Sequence, residues 1–280
     1  MDLQWKAWSA MIHRAEKGIA DDLSNLDLVF ADLPIEVYGE LLLGVPDCYP
    51  RLQRLLPRMP SDEVQRSWAG DCGLPLLRKG TGFVKSALKY FPYASVRSKN
   101  LKALDYGCGW GRLLRLFSKY FPLGSLEGID PWDQSIELCR ASGIRHPLAV
   151  SDYLPITLPT TNRKFEFIYA FSVFTHLSHR SFAGCLAALR KCISPTGVLV
   201  ITIRPAEYWL EVNRPELYAQ HCEDGWVYVP HGFKIIDGDS VYGDTSISLE
   251  RLKGFDEWQV ADIEVSHTDP LQVFVALRPR

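Results

Sequence analysis

From Leu101 onward the chain alternates short apolar runs with stretches whose apolar residues recur at helical spacing. Leu101-Lys102-Ala103-Leu104 reads as a strand ending at Asp105, and Leu113, Leu114, Leu116, Phe117, Tyr120 and Phe121 then share one helical face. Ser125 to Ile129 is a second strand ending at Asp130, and Pro131 suits the first turn of a helix carrying Ile136 and Cys139. Gly143 closes that helix, and His146 to Val150 is a third strand ending near Asp152. Phe165 to Phe171 is apolar but for Glu166, the pattern of a strand covered on both faces. The next helix places Phe182, Cys185, Leu186, Leu189 and Ile193 on one side, Pro195-Thr196-Gly197 turns the chain, and Val198 to Ile203 is a fifth strand. Trp258 to Val265 and Leu271 to Arg278, joined at Thr268-Asp269-Pro270, predict an antiparallel edge. Such alternation predicts an α/β fold, a mostly parallel sheet with helices on both faces.

Ahead of this region, residues 1–60 read as helical pieces broken by Pro34, Pro46, Pro50, Pro57 and Pro60. Residues from about 61 to 100 form an approach segment interrupted by Gly70, Gly73, Gly80 and Gly82. A chain of 280 residues, 47% hydrophobic, holds one large domain or one domain with an elaborated end. A net charge of -2 and the lack of a dense Lys/Arg run exclude the basic face of a nucleic-acid binder. The 7 cysteines are odd in number and form no Cys-x-x-Cys pair, so neither a disulfide framework nor a zinc site is indicated. Reduced thiols in a cytoplasmic protein fit this usage. The start, Met1-Asp2-Leu3-Gln4-Trp5-Lys6, lacks the basic head and apolar stretch of a signal peptide, and no apolar run is long enough for a membrane span.

Four polar residues fall at or just past predicted strand ends: Asp105, Asp130, Asp152 and Ser172. In an open parallel sheet these ends share one rim, where ligands bind. Gly107, Gly109 and Gly111 stand at alternate positions between a strand and a helix, where glycine permits unusual backbone angles and close approach of a ligand. Arg112 occupies the place at which a dinucleotide fingerprint needs its third glycine, which disfavours a nicotinamide dehydrogenase. An acid 25 residues after Asp105, at the end of the next strand, turns a common glycine turn into a specific signal.

The segment Leu104 to Arg112, followed by Gly128-Ile129-Asp130-Pro131, resembles the class I S-adenosylmethionine-dependent methyltransferases over roughly Leu101 to Ile203, with a weaker match in the closing strands. The resemblance implies a Rossmann-like seven-stranded, mostly parallel sheet with an antiparallel C-terminal edge. It also implies a helical extension over residues 1–60 and a methyltransferase domain over 61–280 with an insertion at about 204–247. S-adenosylmethionine is the implied cofactor. Gly107, Gly109 and Gly111 would line its methionine and ribose parts, Asp105 would steady its amino group, and Asp130 would accept from both ribose hydroxyls. Asp152 matches the acid that meets the adenine amino group, with Tyr153 beside it, while Cys108, Pro131, Ser172 and Trp68 complete the expected surroundings. The plainer readings are a helix cap for Asp130, a loop acid for Asp152, and an anchor for the helical arm at Trp68.

On the acceptor side, Ser172-Val173-Phe174-Thr175-His176-Leu177 resembles the family's motif after the fourth strand. It lacks the Asn/Asp-Pro-Pro-Tyr/Phe signature of many enzymes that methylate amino nitrogens, which favours an oxygen acceptor and makes His176 the candidate base. Its plainer reading is a histidine bonded within the fold. The stretch after Ile203 carries Tyr208, Trp209, His221, Trp226, Tyr228, His231 and Tyr242 with the acids Asp237, Asp239 and Asp244, a composition suited either to sugar binding or to a satellite core. His221, Cys222 and His231 are too loosely spaced to indicate a metal. Met59 to Gln65, Phe171 to Leu177 and Tyr242-Gly243-Asp244-Thr245 resemble methyltransferases of bacterial glycan and polysaccharide assembly. The expected partner is therefore a small-molecule or glycan acceptor, and the first 60 residues are a lid, a homodimer contact or a docking arm. A non-catalytic S-adenosylmethionine-binding partner protein is the competing reading.

Overall fold

A computed structural model describes residues 3–91, 101–162 and 164–280; Met1 and Asp2 of the chain start and residues 92–100 of the approach segment lie outside the described residues. Among the described residues six helices come first: α1 (Leu3–Gly18), α2 (Leu26–Val29), α3 (Ile35–Leu43), α4 (Pro50–Leu55), α5 (Asp62–Ala69) and α6 (Gly73–Tyr90). Pro50 opens α4, where its missing N–H costs nothing. Ser61 caps α5 by accepting from the Val64 N–H, and Gly70 ends it in the left-handed conformation.

The alternating region follows as β1 (Ala103–Tyr106), α7 (Arg112–Phe117), β2 (Leu126–Asp130), α8 (Asp133–Ala141), β3 (Leu148–Val150), β4 (Phe165–Ala170), α9 (His179–Cys192) and β5 (Ile193–Ile203). Next come α10 (Tyr208–Glu211), α11 (Pro215–Asp224), β6 (Trp226–Pro230), β7 (Ile235–Ile236), β8 (Asp239–Ser240) and β9 (Gly243–Ile247). The chain closes with α12 (Leu249–Lys253), β10 (Trp258–Val265) and β11 (Val273–Pro279). Among the described residues seven strands form one sheet in the order β10-β11-β5-β4-β1-β2-β3. The pairs among β1 to β5 are parallel, whereas β11 runs antiparallel to both β5 and β10, as the C-terminal pattern predicted. Strand order reverses at β1, so the crevice lies beyond the carboxyl ends of β1 and β4.

Several details differ from the sequence expectation: Asp105 lies inside β1 rather than at its end, α7 stops at Phe117 short of Tyr120 and Phe121, and Ile193 opens β5 instead of lying on α9. Pro195-Thr196-Gly197 does not interrupt β5: Ile193 pairs with Phe165 and Val198 with Phe167, so Ser194 to Gly197 bulge opposite one residue. Gly197 fits there because a side chain would press on the carbonyl oxygens of Phe165 and Glu166.

Alternate residues of each strand enter opposite cores, as the pleat requires. Phe167, Tyr169, Val200 and Phe274 pack with Tyr38, Leu52, Phe83 and Phe117, so the first helices share a core with the sheet. Ile168, Leu199, Ile201 and Val275 pack on the other face with Phe182, Leu186 and Leu189 of α9. Burying each such side chain contributes about 1.5–3 kcal/mol. Arg115, only 1% exposed, sits where the arm meets α7. Its guanidinium donates to the carbonyls of Trp110 and Arg58 and to the Ser142 hydroxyl, while the Tyr38 hydroxyl donates to the Arg115 carbonyl at 3.2 Å.

The segment after β5 folds back over the rim. β6 and β9 pair antiparallel, and β9 is stitched to the chain leaving β4. Gly243 N donates to His176 O at 2.8 Å, Thr245 N to Thr175 O at 2.9 Å, and the Thr245 hydroxyl to Leu177 O at 2.6 Å. Among the described residues no helix is long and apolar enough to cross a membrane.

Candidate cofactor and acceptor site

The glycine loop leaves β1 and is held to β2 at once: Gly107 N and Cys108 N both donate to Ile129 O, at 2.8 and 3.0 Å. Gly107, Gly109 and Gly111 have φ of 73°, 53° and 81°, a region that side chains strongly disfavour. A Cβ on Gly107 would collide with Val173, and one on Gly111 with Ile144, whereas one on Gly109 would meet nothing within 4 Å. The outer glycines are therefore packing positions, and the middle one faces open space at the rim.

Asp130 closes the turn. Its Oδ2 accepts from Gly109 N at 2.8 Å and its Oδ1 from Trp132 N at 2.9 Å, so it caps the approach to α8 and also pins the loop. Burial raises its pKa against the pull of these two N–H groups. Asp105 is 2% exposed, and among the described residues its Oδ2 has no partner at ordinary hydrogen-bond distance; the Tyr169 hydroxyl faces the carboxyl without closing to that distance and favours its ionised form. Burial, with the nearby charge of Asp130, pushes the Asp105 carboxyl well above the usual carboxylate range. Two buried carboxylates, one with an orphaned oxygen, form a site that a cation would relieve. Arg112 offers only partial relief: its guanidinium lies over the Phe171 ring at 4.6 Å, and burial lowers its pKa to about 10.

The structure brings Ser172 to the same place. It is a non-glycine residue with φ 57°, held by its N–H to the Thr202 hydroxyl at 2.7 Å, and the following Val173 packs on Gly107. Strain of this kind, about 1–3 kcal/mol, is characteristic of functional rims. Cys108 is buried, and the thiol of Cys139 donates to Gly109 O at 3.2 Å beneath the loop. Pro131 is partly exposed beside Asp130. Asp152 stands exposed just past β3, without a hydrogen bond to the others, and Tyr153 lies half-buried with Lys234 Nζ 4.9 Å from its ring centre. Trp68 stacks on Trp132 at 4.4 Å and 20°. Trp132 meets the edge of Phe233 at 6.0 Å, which meets Tyr242 at 5.8 Å. α5 thus reaches the insertion through an aromatic rim.

His176 stacks on Tyr242 at 5.0 Å and 8°. Its Nδ1–H donates to Gly243 O at 2.8 Å, and its Nε2 faces Arg204 Nη2 at 3.4 Å. Burial, then the Arg204 charge, lower its pKa to about 4. This environment matches the plainer reading, a histidine bonded within the fold. His179 opens α9 and packs against Trp226.

Sequence reasoning passed over Arg204, although it too stands just past a strand end. Arg204 Nη1 donates to Thr175 O at 2.9 Å and to Asp244 Oδ1, and its guanidinium lies 4.1 Å from the Tyr208 ring centre. The second oxygen of Asp244 accepts from His231 Nε2 at 2.8 Å. Burial opposes ionisation of Asp244, but Arg204 and His231 outweigh it and hold the carboxyl below its usual range. The insertion's aromatic and histidine residues divide into two groups. Trp209 and His221 are buried and share the Ser246 hydroxyl, at 2.6 and 2.7 Å, and Trp226 packs on Phe182 at 5.0 Å, so these build a satellite core. His231, Phe233 and Tyr242 border the site instead.

The fold is similar to that of several solved methyltransferases. The S-adenosylmethionine-dependent methyltransferase from Clostridium acetobutylicum ATCC 824 superposes with a TM-score of 0.50 at 12% identity, covering 83% of this chain and 99% of that one. The magnesium protoporphyrin IX methyltransferase from Synechocystis PCC 6803, solved with bound SAH, gives 0.50 at 13%, covering 82% and 94%. The CcbJ methyltransferase from Streptomyces caelestis gives 0.50 at 12%, covering 78% and 95%. At such identities the likeness is one of fold. No curated protein sequence matches the chain. A family profile described as a methyltransferase domain matches residues 52–264, most of the chain and all of the glycine loop, and the chain therefore belongs to that family, as an S-adenosylmethionine-dependent methyltransferase.

Proposed function

We propose that this enzyme methylates a hydroxyl group of a sugar, a glycan or another small hydroxylated acceptor. The cofactor would lie on the glycine loop. Asp105 would receive the amino group, since its buried Oδ2 lacks a partner. The backbone of Gly107, Cys108, Gly109 and Gly111 would line the methionine and ribose, Asp130 would accept from the ribose, and Ser172 would close the side next to β4. Asp152, Tyr153 and Pro131 would border the adenine, and the Trp68–Trp132 stack would form the outer wall. The observation that carries this reading is the Gly109–Asp130 bond beside open space, which leaves a carboxylate with spare lone pairs on the strand next to that of Asp105.

When bound, S-adenosylmethionine supplies a methyl group on a positively charged sulfur. The chain has to hold, align and exclude water, and alignment alone contributes up to roughly 7–11 kcal/mol. Residues 1–60 are read as a helical extension to a methyltransferase domain over 61–280, whose insertion at about 204–247 builds the acceptor side. The aromatic rim with His176, His231 and Asp244 suits a hydroxylated ligand, in keeping with the absent Pro-Pro signature.

Calorimetry with S-adenosylhomocysteine, followed by labelled S-adenosylmethionine with a panel of methyl glycosides, tests the reading. Saturable binding and label in a glycoside are expected. Absence of binding sinks the site assignment, and binding without transfer to any glycoside sinks the acceptor class in favour of a non-catalytic partner.

A further inference from the structure

Arg204, Asp244 and His231 form a hydrogen-bonded series that cofactor binding leaves unused. Arg204 holds one oxygen of Asp244, and the other oxygen accepts from His231 Nε2. A neutral imidazole bonded this way carries its lone pair on Nδ1. Among the described residues Nδ1 has no partner, and the His231 side chain is 41% exposed, against 18% for His176. Both nitrogens of His176 are engaged, so of the two rings only His231 can meet an acceptor with a free lone pair.

The pair is rigidly mounted. Val229 of β6 pairs with Asp244 of β9 and Pro230 with Gly243, which sets His231 diagonally across from Asp244, and His231 N donates to Tyr242 O at 3.1 Å. It also faces the cofactor side. Trp132, two residues after Asp130, meets Phe233 at 6.0 Å, Phe233 meets Tyr242 at 5.8 Å, and Tyr242 meets the His231 ring at 5.9 Å.

We infer that His231 is the base that takes the acceptor's proton, with Asp244 orienting it and Arg204 orienting Asp244; the inference rests on methylation of a hydroxyl. The proton leaves the acceptor oxygen for Nδ1 as that oxygen bonds the methyl carbon. The electron pair of the broken carbon–sulfur bond stays on sulfur, which loses its positive charge. The resulting imidazolium donates from Nε2 to the Asp244 carboxylate. Asp244 and Arg204 are positioning residues.

Nitrogen NMR of the wild-type ring reads the tautomer directly, without acceptor or cofactor. Nε2-protonated His231 is expected, and Asp244→Asn, whose amide can donate to Nε2, is expected to shift protonation toward Nδ1. A wild-type ring protonated at Nδ1 overturns the inference. With methyl glycosides as the acceptor probe, His231→Gln is expected to lower kcat at least ~100-fold while KM and the S-adenosylhomocysteine Kd stay within about threefold. A kcat within threefold of wild type, or a tenfold loss of S-adenosylhomocysteine affinity, overturns it. Wild-type protein that binds S-adenosylhomocysteine but methylates no glycoside overturns the hydroxyl-acceptor reading instead, and the tautomer still decides the pair.

Discussion

The Gly109 amide and the Asp130 carboxylate meet at 2.8 Å across 21 positions of sequence, fastening the middle of the glycine loop to the end of the neighbouring strand. A carboxylate has about four acceptor positions; Gly109 and Trp132 occupy two here, and the Ser135 hydroxyl also favours the charged form. Removing Asp130 should therefore act on cofactor and fold together. Asp130→Ala is expected to weaken S-adenosylhomocysteine binding at least about tenfold, since a charge-assisted bond contributes about 1.5–3 kcal/mol. Melting temperature should also fall. An unchanged Kd in calorimetry would remove Asp130 from the site.

The three glycines of the loop should separate by phenotype. Gly107→Ala and Gly111→Ala force a methyl group into Val173 and Ile144 at positive φ, and each is expected to cost several kcal/mol in denaturant titrations. Gly109→Ala meets no neighbour, so only the backbone penalty, about 1 kcal/mol, is expected, with a larger relative loss of cofactor affinity. Equal destabilisation by all three would show that the space above Gly109 is not a ligand face.

Asp105 should oppose stability in the absence of cofactor. Burial raises its folded pKa above that of the unfolded chain, so its contribution is fully present at low pH and is lost as pH rises through the folded value. Asp105→Asn mimics the protonated form. The variant is expected to melt above wild type at neutral pH, with an advantage that shrinks on acidification. It should also gain less from added S-adenosylhomocysteine. A variant less stable than wild type at every pH would contradict the orphaned-carboxylate account.

Much of the sheet was legible because β1 to β5 carry local signals: apolar runs, strand-end acids and helix-spaced leucines. The loop was legible because its three glycines answer to backbone angles that few other residues adopt. The bulge at Pro195-Thr196-Gly197 has the sequence of a turn, since both need the same residues and only pairing with Phe165 and Phe167 separates them. His231 and Asp244 were visible as composition but not as a pair. Their meeting depends on the register of β6 with β9, and β9 in turn is placed by bonds to Thr175, His176 and Leu177, 67 or more residues earlier. Trp209 and Tyr242 look alike in sequence, yet one ends in a core on Ser246 and the other at the mouth.

Trp68 and Trp132 should be energetically coupled. Their rings stack at 4.4 Å between α5 and the turn after β2, and both are partly exposed. A double-mutant cycle with Ala at each position is expected to give about 0.5–1.5 kcal/mol of coupling in stability. Additive effects would mean that the two indoles meet without holding the arm.

Arg115 has a consequence for how the protein fails. Its guanidinium bonds the Trp110 carbonyl inside the glycine loop and the Arg58 carbonyl in the arm, while Tyr38 grips its own carbonyl. Loosening of the first helices under heat or denaturant would strip that cation of its partners and let the loop lose its shape while the strands were still paired. Loss of ligand affinity would then precede the cooperative melt, and the early helices, remote from the chemistry in sequence, would set the temperature at which the enzyme stops working.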